Sequence, residues 1–154
     1  LSVSAASAIV LLSSGLDSAF NLAKAKNDFQ VTALSFNYGQ KAAAREMAAA
    51  QRLAQHFEVP LKIIDLPWFS QFTKTSLVAA MAVPTGKEVE IDSHDRSLQT
   101  AEKVWVPNRN GIFLNVAAGF AEGLGAKFVI PGFNKEEAET FPDNSAEFLQ
   151  ALDK

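Results

Sequence analysis

The stretch Ser13-Ser14-Gly15-Leu16-Asp17-Ser18 sets hydroxyls, a glycine and a carboxylate between a short apolar run, Ala8 to Leu12, and a segment in which Leu16, Phe20 and Ala23 recur at helical spacing. An apolar run of that length reads as a strand covered on both faces, so the polar stretch is a tight strand-to-helix turn. Backbone N–H groups at a helix N-terminus, with hydroxyls beside them, bind anions. The stretch has neither the Gly-Lys-Ser/Thr of one common phosphate loop nor the spaced glycines of the other. It must therefore hold a phosphate through backbone, the Ser13, Ser14 and Ser18 hydroxyls and the helix dipole. Asp17 repels a phosphate placed directly against it. A Mg²⁺ ion between the two removes the repulsion, because a hard cation takes carboxylate and phosphate oxygens together.

Other residues can act beside such a loop. Arg109, in Val106-Pro107-Asn108-Arg109-Asn110, carries a fixed fork of donors that suits a phosphate or a carboxylate. A positive charge near a helix start meets an unfavourable dipole, which weighs against a merely solvated surface arginine. Lys41 and Arg45 read equally well as facing the same place or as solvated surface. Tyr38 and Gln40 suit a heterocycle by stacking and hydrogen bonding, with a simple strand-end turn at Gly39 as the alternative. Asn134 suits a base edge or a cap. Glu136, Glu137 and Glu139 read as a solvated acidic face, and Trp68, Phe69 and Phe72 as core aromatics.

These residues need elements to position them. Phe29 to Asn37 alternates and is rich in β-formers, a second strand; Ala43, Met47, Ala50, Leu53, Ala54 and Phe57 share one face of a helix from about Lys41. His56, beside Phe57, is a helix-end histidine on this reading. Leu61 to Asp65 predicts a third strand. Residues 66–103 lose the rhythm and read as an inserted functional loop or a mobile one. Asn108 or Asn110 then caps a helix whose buried face is Ile112, Phe113, Val116, Ala117, Phe120 and Leu124; Gly125 stops it, and Lys127 to Pro131 forms a fourth strand. Asn144 and Glu147 have capping-box spacing ahead of Phe148, Leu149 and Leu152. The alternation predicts an α/β fold, a Rossmann-like open parallel sheet with helices on both faces, in which ligands sit outside the carboxyl ends of the strands. The polar clusters at residues 13–18, 37–40, 108–110 and 132–134 should then face one crevice.

The first cluster resembles the modified P-loop of the ATP pyrophosphatases, Ser-Gly-Gly-x-Asp-Ser, departing from it at Ser14. With Tyr38-Gly39-Gln40, Val106-Pro107-Asn108-Arg109-Asn110, Gly132-Phe133-Asn134 and Phe141-Pro142-Asp143, the chain resembles in order and spacing the 7-cyano-7-deazaguanine (preQ0) synthases of queuosine biosynthesis, from Ile9 to about Leu152. The resemblance implies an ATP-dependent carbon–nitrogen ligase that converts 7-carboxy-7-deazaguanine and ammonia into a nitrile through adenylated intermediates. It implies ATP on Ser13, Ser14, Gly15, Leu16, Asp17 and Ser18, with Mg²⁺ on Asp17 through the phosphates. Asp17, Ser18 and Arg109 are then the catalytic set, and Tyr38, Gln40, Asn110 and Asn134 the substrate set. The alternatives are another amidating or thiolating ATP pyrophosphatase, and a nucleotide-binding paralogue without catalysis. The family commonly has Tyr-Pro-Asp-Cys-Arg where this chain reads Phe141-Pro142-Asp143-Asn144-Ser145, and carries zinc-binding cysteines nearer its C-terminus.

No cysteine occurs among the 154 residues, so zinc ligands of that kind, disulfides and a thiolate nucleophile are excluded within them. With 48 % hydrophobic and 20 % charged residues and a net charge of -3, the composition is that of one globular domain over 1–154 with small-molecule partners, and the resemblance makes it a nucleotide-binding domain. No basic stripe points to nucleic acid and no apolar run to a membrane span. Leu1 to Ser7 has no signal-peptide pattern, which predicts a cytoplasmic protein. The missing initiator methionine and the ending in Ala151-Leu152-Asp153-Lys154 lead to the expectation of a piece of a longer chain, completed in part by a homodimer partner or by elements outside these residues.

Overall fold

The computed structural model describes residues 5–73, 105–133, 138 and 141–153. Strand β1 (Ser7–Leu11) leads to helix α1 (Leu16–Asp28), β2 (Gln30–Asn37), α2 (Ala43–His56) and β3 (Leu61–Asp65); α3 (Arg109–Leu124), β4 (Phe128–Ile130) and α4 (Ala146–Leu152) follow. The strands form a four-stranded sheet in the order β3-β2-β1-β4. Every pairing is parallel, with Val10 opposite Ala33 and Ile130. The α/β expectation therefore holds.

Alternation along β1 divides the core. Ile9 and Leu11 join Leu34, Phe36, Tyr38 and Phe69 beneath α3, while Val10 and Leu12 join Leu22, Ala25, Ala33 and Ala50 beneath α1 and α2. A strand buried on both faces has no polar side to spare, which is why Ala8 to Leu12 is unbroken by any polar residue. The chain steps from β1 outward to β3 through α1 and α2 on one face, then returns to the far side of β1 through α3 on the other. β1 and β4 consequently flank the point where the winding reverses, the place where such sheets open a crevice at their carboxyl ends.

The apolar residues of α1 follow a different phase from the expected one. Its buried residues are Ser18, Leu22 and Ala25, whereas Leu16 is 86 % and Phe20 64 % exposed. The reason is the loop ahead of the helix, which requires Ser18 inside. Leu124 is likewise exposed at the last turn of α3, and of the three aromatics expected in the core only Phe69 is buried, inside a 3₁₀ turn at Pro67–Gln71 that opens the 66–103 segment. Residues 74–104, His94 among them, lie outside the described residues.

Caps also differ in detail. Helix α2 starts at Ala43, after a turn at residues 41–42. Asn108 stands at the N-cap of α3 in left-handed backbone, φ 50°, without a side-chain capping bond. Its side chain instead covers Gly111, where a Cβ would lie 2.1 Å from Asn108 Oδ1. Gly125 ends α3 in left-handed backbone as expected, φ 68°. Ser145, rather than Asn144, caps α4 by accepting from Phe148 N–H at 3.1 Å. Asn144 is unavailable for that position because it is buried in the preceding turn, Pro142–Asn144.

Candidate functional site

A cleft of about 290 Å³ opens at the carboxyl end of the sheet, and each of the predicted polar clusters supplies residues to it. Ser13, Gly15, Asp17 and Ser18 come from the turn after β1, Tyr38 and Gln40 from the end of β2, Arg109 and Asn110 from the start of α3, and Gly132 and Phe133 from the end of β4. Ser14 and Leu16 do not line it. Asn134, Glu136, Glu137 and Glu139 lie outside the described residues. Lys41 and Arg45 are exposed and are not among the residues that line the cleft, in keeping with the solvated-surface alternative.

The loop is held open by its own hydroxyls. Ser13 Oγ donates to Ser18 Oγ at 3.1 Å and accepts from Gly15 N–H at 3.4 Å; Ser18 Oγ, buried, donates to Gly15 O at 2.9 Å. Beneath the loop, buried Ser35 donates from Oγ to Leu12 O, tying the end of β1 to β2. Asn21 Nδ2 donates to Pro131 O at 2.8 Å, which fixes α1 to the end of β4. A Cβ on Gly132 would sit 3.1 Å from Ser18 Cβ and 3.2 Å from Ser18 Cα. A side chain here would press on Ser18 by a few tenths of an ångström, so glycine eases the close passage of the chain after β4 by the first turn of α1.

Ser14 adopts φ 65°, in the left-handed region. A residue with a Cβ is strained there by about 1–2 kcal/mol, and glycine gives back about 0.5–1 kcal/mol in chain entropy. Ser14→Gly should therefore raise the unfolding free energy by about 0.5–1 kcal/mol on this balance. A denaturant titration checks it; a lower midpoint with an unchanged slope would refute the strain argument.

At the end of β2 the chain turns at Gly39, φ 83°. Asn37 Nδ2 donates to Asp65 Oδ1 at 2.7 Å and pins the turn to β3. Gln40, buried, accepts from Tyr38 N–H at 2.9 Å and donates to Phe36 O at 3.1 Å and to Glu46 Oε2 at 2.8 Å. Both N–H groups of its amide are thus committed within the protein, which makes Gln40 a support of the site and leaves little of it for a heterocycle. Tyr38 lies buried against Phe69 and Phe113, with centroids 5.4 and 5.5 Å apart, and Phe36 stacks on Phe113 at 4.1 Å. These rings give the cleft an apolar wall.

Arg109 is the first residue of α3, half-buried, and its guanidinium makes no ion pair or hydrogen bond among the described residues. Its neighbour Asn110 is locked: its N–H donates to Asp143 Oδ2 at 3.1 Å and its Nδ2 to Asp143 O at 3.2 Å. Asp143 is buried, so Phe141-Pro142-Asp143 acts here as an acidic brace at the α3 N-terminus, where the dipole favours it. Glu46, Met47 and Phe113 also line the cleft. No motif singled out Glu46; its signal is the spacing from Gln40 across a turn into the first turn of α2.

A model of the family described as queuosine biosynthesis protein QueC matches residues 7–154. A 7-cyano-7-deazaguanine synthase of Bdellovibrio bacteriovorus is 57 % identical over 149 residues, covering 95 % of this chain and 64 % of the relative. The protein of the same name from Carboxydothermus hydrogenoformans is 50 % identical over 147 residues, covering 94 % and 67 %. That from Methanosarcina mazei is 46 % identical over 151 residues, covering 95 % and 65 %. The chain therefore spans about two thirds of the length of these curated relatives. Among solved structures, an NH3-dependent NAD synthetase from Campylobacter jejuni superposes with a TM-score of 0.52 at 21 % identity, over 88 % of this chain and 50 % of that one. That likeness carries the fold alone.

Proposed function

The chain belongs to the QueC family of queuosine biosynthesis proteins, and we propose that it carries the ATP-binding part of a cytoplasmic ligase making 7-cyano-7-deazaguanine from 7-carboxy-7-deazaguanine and ammonia. The observation that carries this reading is the convergence of the Ser13–Ser18 loop, Arg109 and an aromatic wall on one cleft. No described helix is long and apolar enough to cross a membrane.

A carboxylate resists attack by ammonia because it has no adequate leaving group. Attack of its oxygen on the α-phosphorus of ATP forms an acyl adenylate and breaks the bond to pyrophosphate. Ammonia then adds to the acyl carbon, gives up a proton and expels AMP, leaving the amide. Attack of the amide oxygen on a second ATP releases a second pyrophosphate; loss of both nitrogen protons and of AMP gives the nitrile. The protein's share is positioning and charge neutralisation.

The donors present fit a magnesium–nucleotide. The N-terminus of α1, with Ser13 and Ser18, suits the pyrophosphate, and Asp17 suits the metal. Mg²⁺, when bound, neutralises phosphate charge. Arg109 suits the α-phosphate or the substrate carboxylate, and Tyr38 the face of the heterocycle. Asn110 and Asn134 complete the proposed substrate set.

Gly132→Ala should weaken ATP binding about tenfold and destabilise the fold by about 1 kcal/mol, since the new methyl meets Ser18 backbone that cannot yield without shifting α1. Calorimetric titration with Mg–ATP checks this; unchanged affinity would remove Gly132 from the phosphate end. The reaction class is tested by identifying the nucleotide products. AMP and pyrophosphate are expected, with acid alone sufficient for a first release of pyrophosphate and AMP release requiring acid and ammonium together. ADP and phosphate would contradict adenylation.

A further inference from the structure

The cleft holds a second carboxylate, that of Glu46, to which the proposed chemistry gives no task. Glu46 stands in the first turn of α2 and is half-buried. It is also held: Gln40, itself fixed by Tyr38 N–H and Phe36 O, donates to Glu46 Oε2 at 2.8 Å. That bond uses one oxygen in part and leaves the carboxylate acceptor capacity for a ligand. A carboxylate set by a buried amide, which is set in turn by strand-end backbone, is a preorganised acceptor.

Asp17 stands in the first turn of α1 and Glu46 in the first turn of α2, different helices on the same sheet face. The acid assigned to the phosphate end and Glu46 thus reach the cleft from different elements. Tyr38 and Phe113 stand in the same cleft as a ring wall, and Arg109 supplies the cation. A ligand that matches this set is a flat heterocycle with an anionic group at one end and adjacent N–H donors at the other.

We propose that Glu46 is a specificity-determining residue that accepts hydrogen bonds from the N1–H and 2-amino groups of the 7-deazaguanine ring. The assignment rests on the synthase reading above. A guanine-type edge presents two neighbouring donors, and a carboxylate presents two neighbouring acceptors and no donor. The reacting carboxylate projects from the five-membered ring, away from that edge. Holding the edge at Glu46 therefore leaves the reacting group to Arg109 and the nucleotide.

The test compares the full-length protein with its Glu46→Gln variant, at saturating Mg–ATP and ammonium. The two substrates are 7-carboxy-7-deazaguanine and its analogue lacking the 2-amino group. A glutamine keeps an oxygen for the Gln40 bond but turns a donor toward the edge. Wild type should favour the 2-amino substrate about 100-fold or more in kcat/KM, because a site built to bond a donor rejects an analogue lacking it. The variant should raise KM for the 2-amino substrate about 10- to 100-fold with a smaller change in kcat, and its preference should shrink to within about tenfold. Glu46→Asp, which keeps the charge but shortens its reach, should raise KM and retain most of the preference. An unchanged preference in active Glu46→Gln overturns the assignment alone, as does a loss of Mg–ATP binding measured without heterocycle. Failure of the wild type to turn over either heterocycle overturns the synthase reading, and the assignment with it.

Discussion

Replacing Asp17 by alanine should reduce nitrile formation by about 10²–10³-fold or more, while metal-free ATP binds at least as well as before. The two effects have one cause. Asp17 lies in the first turn of α1, exposed, in the loop whose backbone and hydroxyls suit phosphate. Its charge opposes bare phosphate and favours phosphate carrying Mg²⁺. Removing it should flatten the dependence of ATP affinity on Mg²⁺. The loss of an acid near a helix N-terminus contributes about 0.3–1 kcal/mol to the change in stability. Titration with ATP with and without Mg²⁺, beside the turnover assay, separates this account from misfolding. Retained turnover in the variant would contradict it.

Arg109→Met should cost turnover about 10³-fold, in line with cations that face a transferring phosphoryl group. Here too stability gives the control. A positive charge at the first residue of α3 opposes the helix dipole, and the guanidinium has no partner among the described residues. The variant should therefore be as stable as the parent or more stable, by up to about 1 kcal/mol. Inactive and stabilised together is the expected signature of a residue kept for function. Arg109→Lys should restore only part of the activity, since an ammonium lacks the planar fork. Full activity in Arg109→Met would make Arg109 ordinary surface.

Much of the site was legible because parallel sheets put strand ends at one edge. Ser13, Tyr38, Arg109 and Gly132 follow apolar segments, and segment order alone predicted that they meet. What periodicity did not give was phase and partners. On α1 the apolar Leu16 and Phe20 face outward, because the hydroxyl network of the loop draws Ser18 inward. The pairing of Asn110 with Asp143 joins residues 33 apart in sequence through a contact that no local pattern encodes. Glu46 reads as the polar face of an amphipathic helix until Gln40 is seen to reach it. Phe113 was legible only as core, and it serves both core and cleft. The strain at Ser14 follows from the loop's path, which takes left-handed backbone at a position where the related motif has glycine.

Activation of an acid by ATP in this cleft, for conversion to a nitrile, is tested most directly by mass spectrometry of the heterocycle after incubating the full-length protein with Mg–ATP, 7-carboxy-7-deazaguanine and isotopically heavy ammonium. The account predicts 7-cyano-7-deazaguanine carrying the heavy nitrogen, with AMP as the nucleotide product. Recovery of the unchanged acid from a protein that binds Mg–ATP would contradict it.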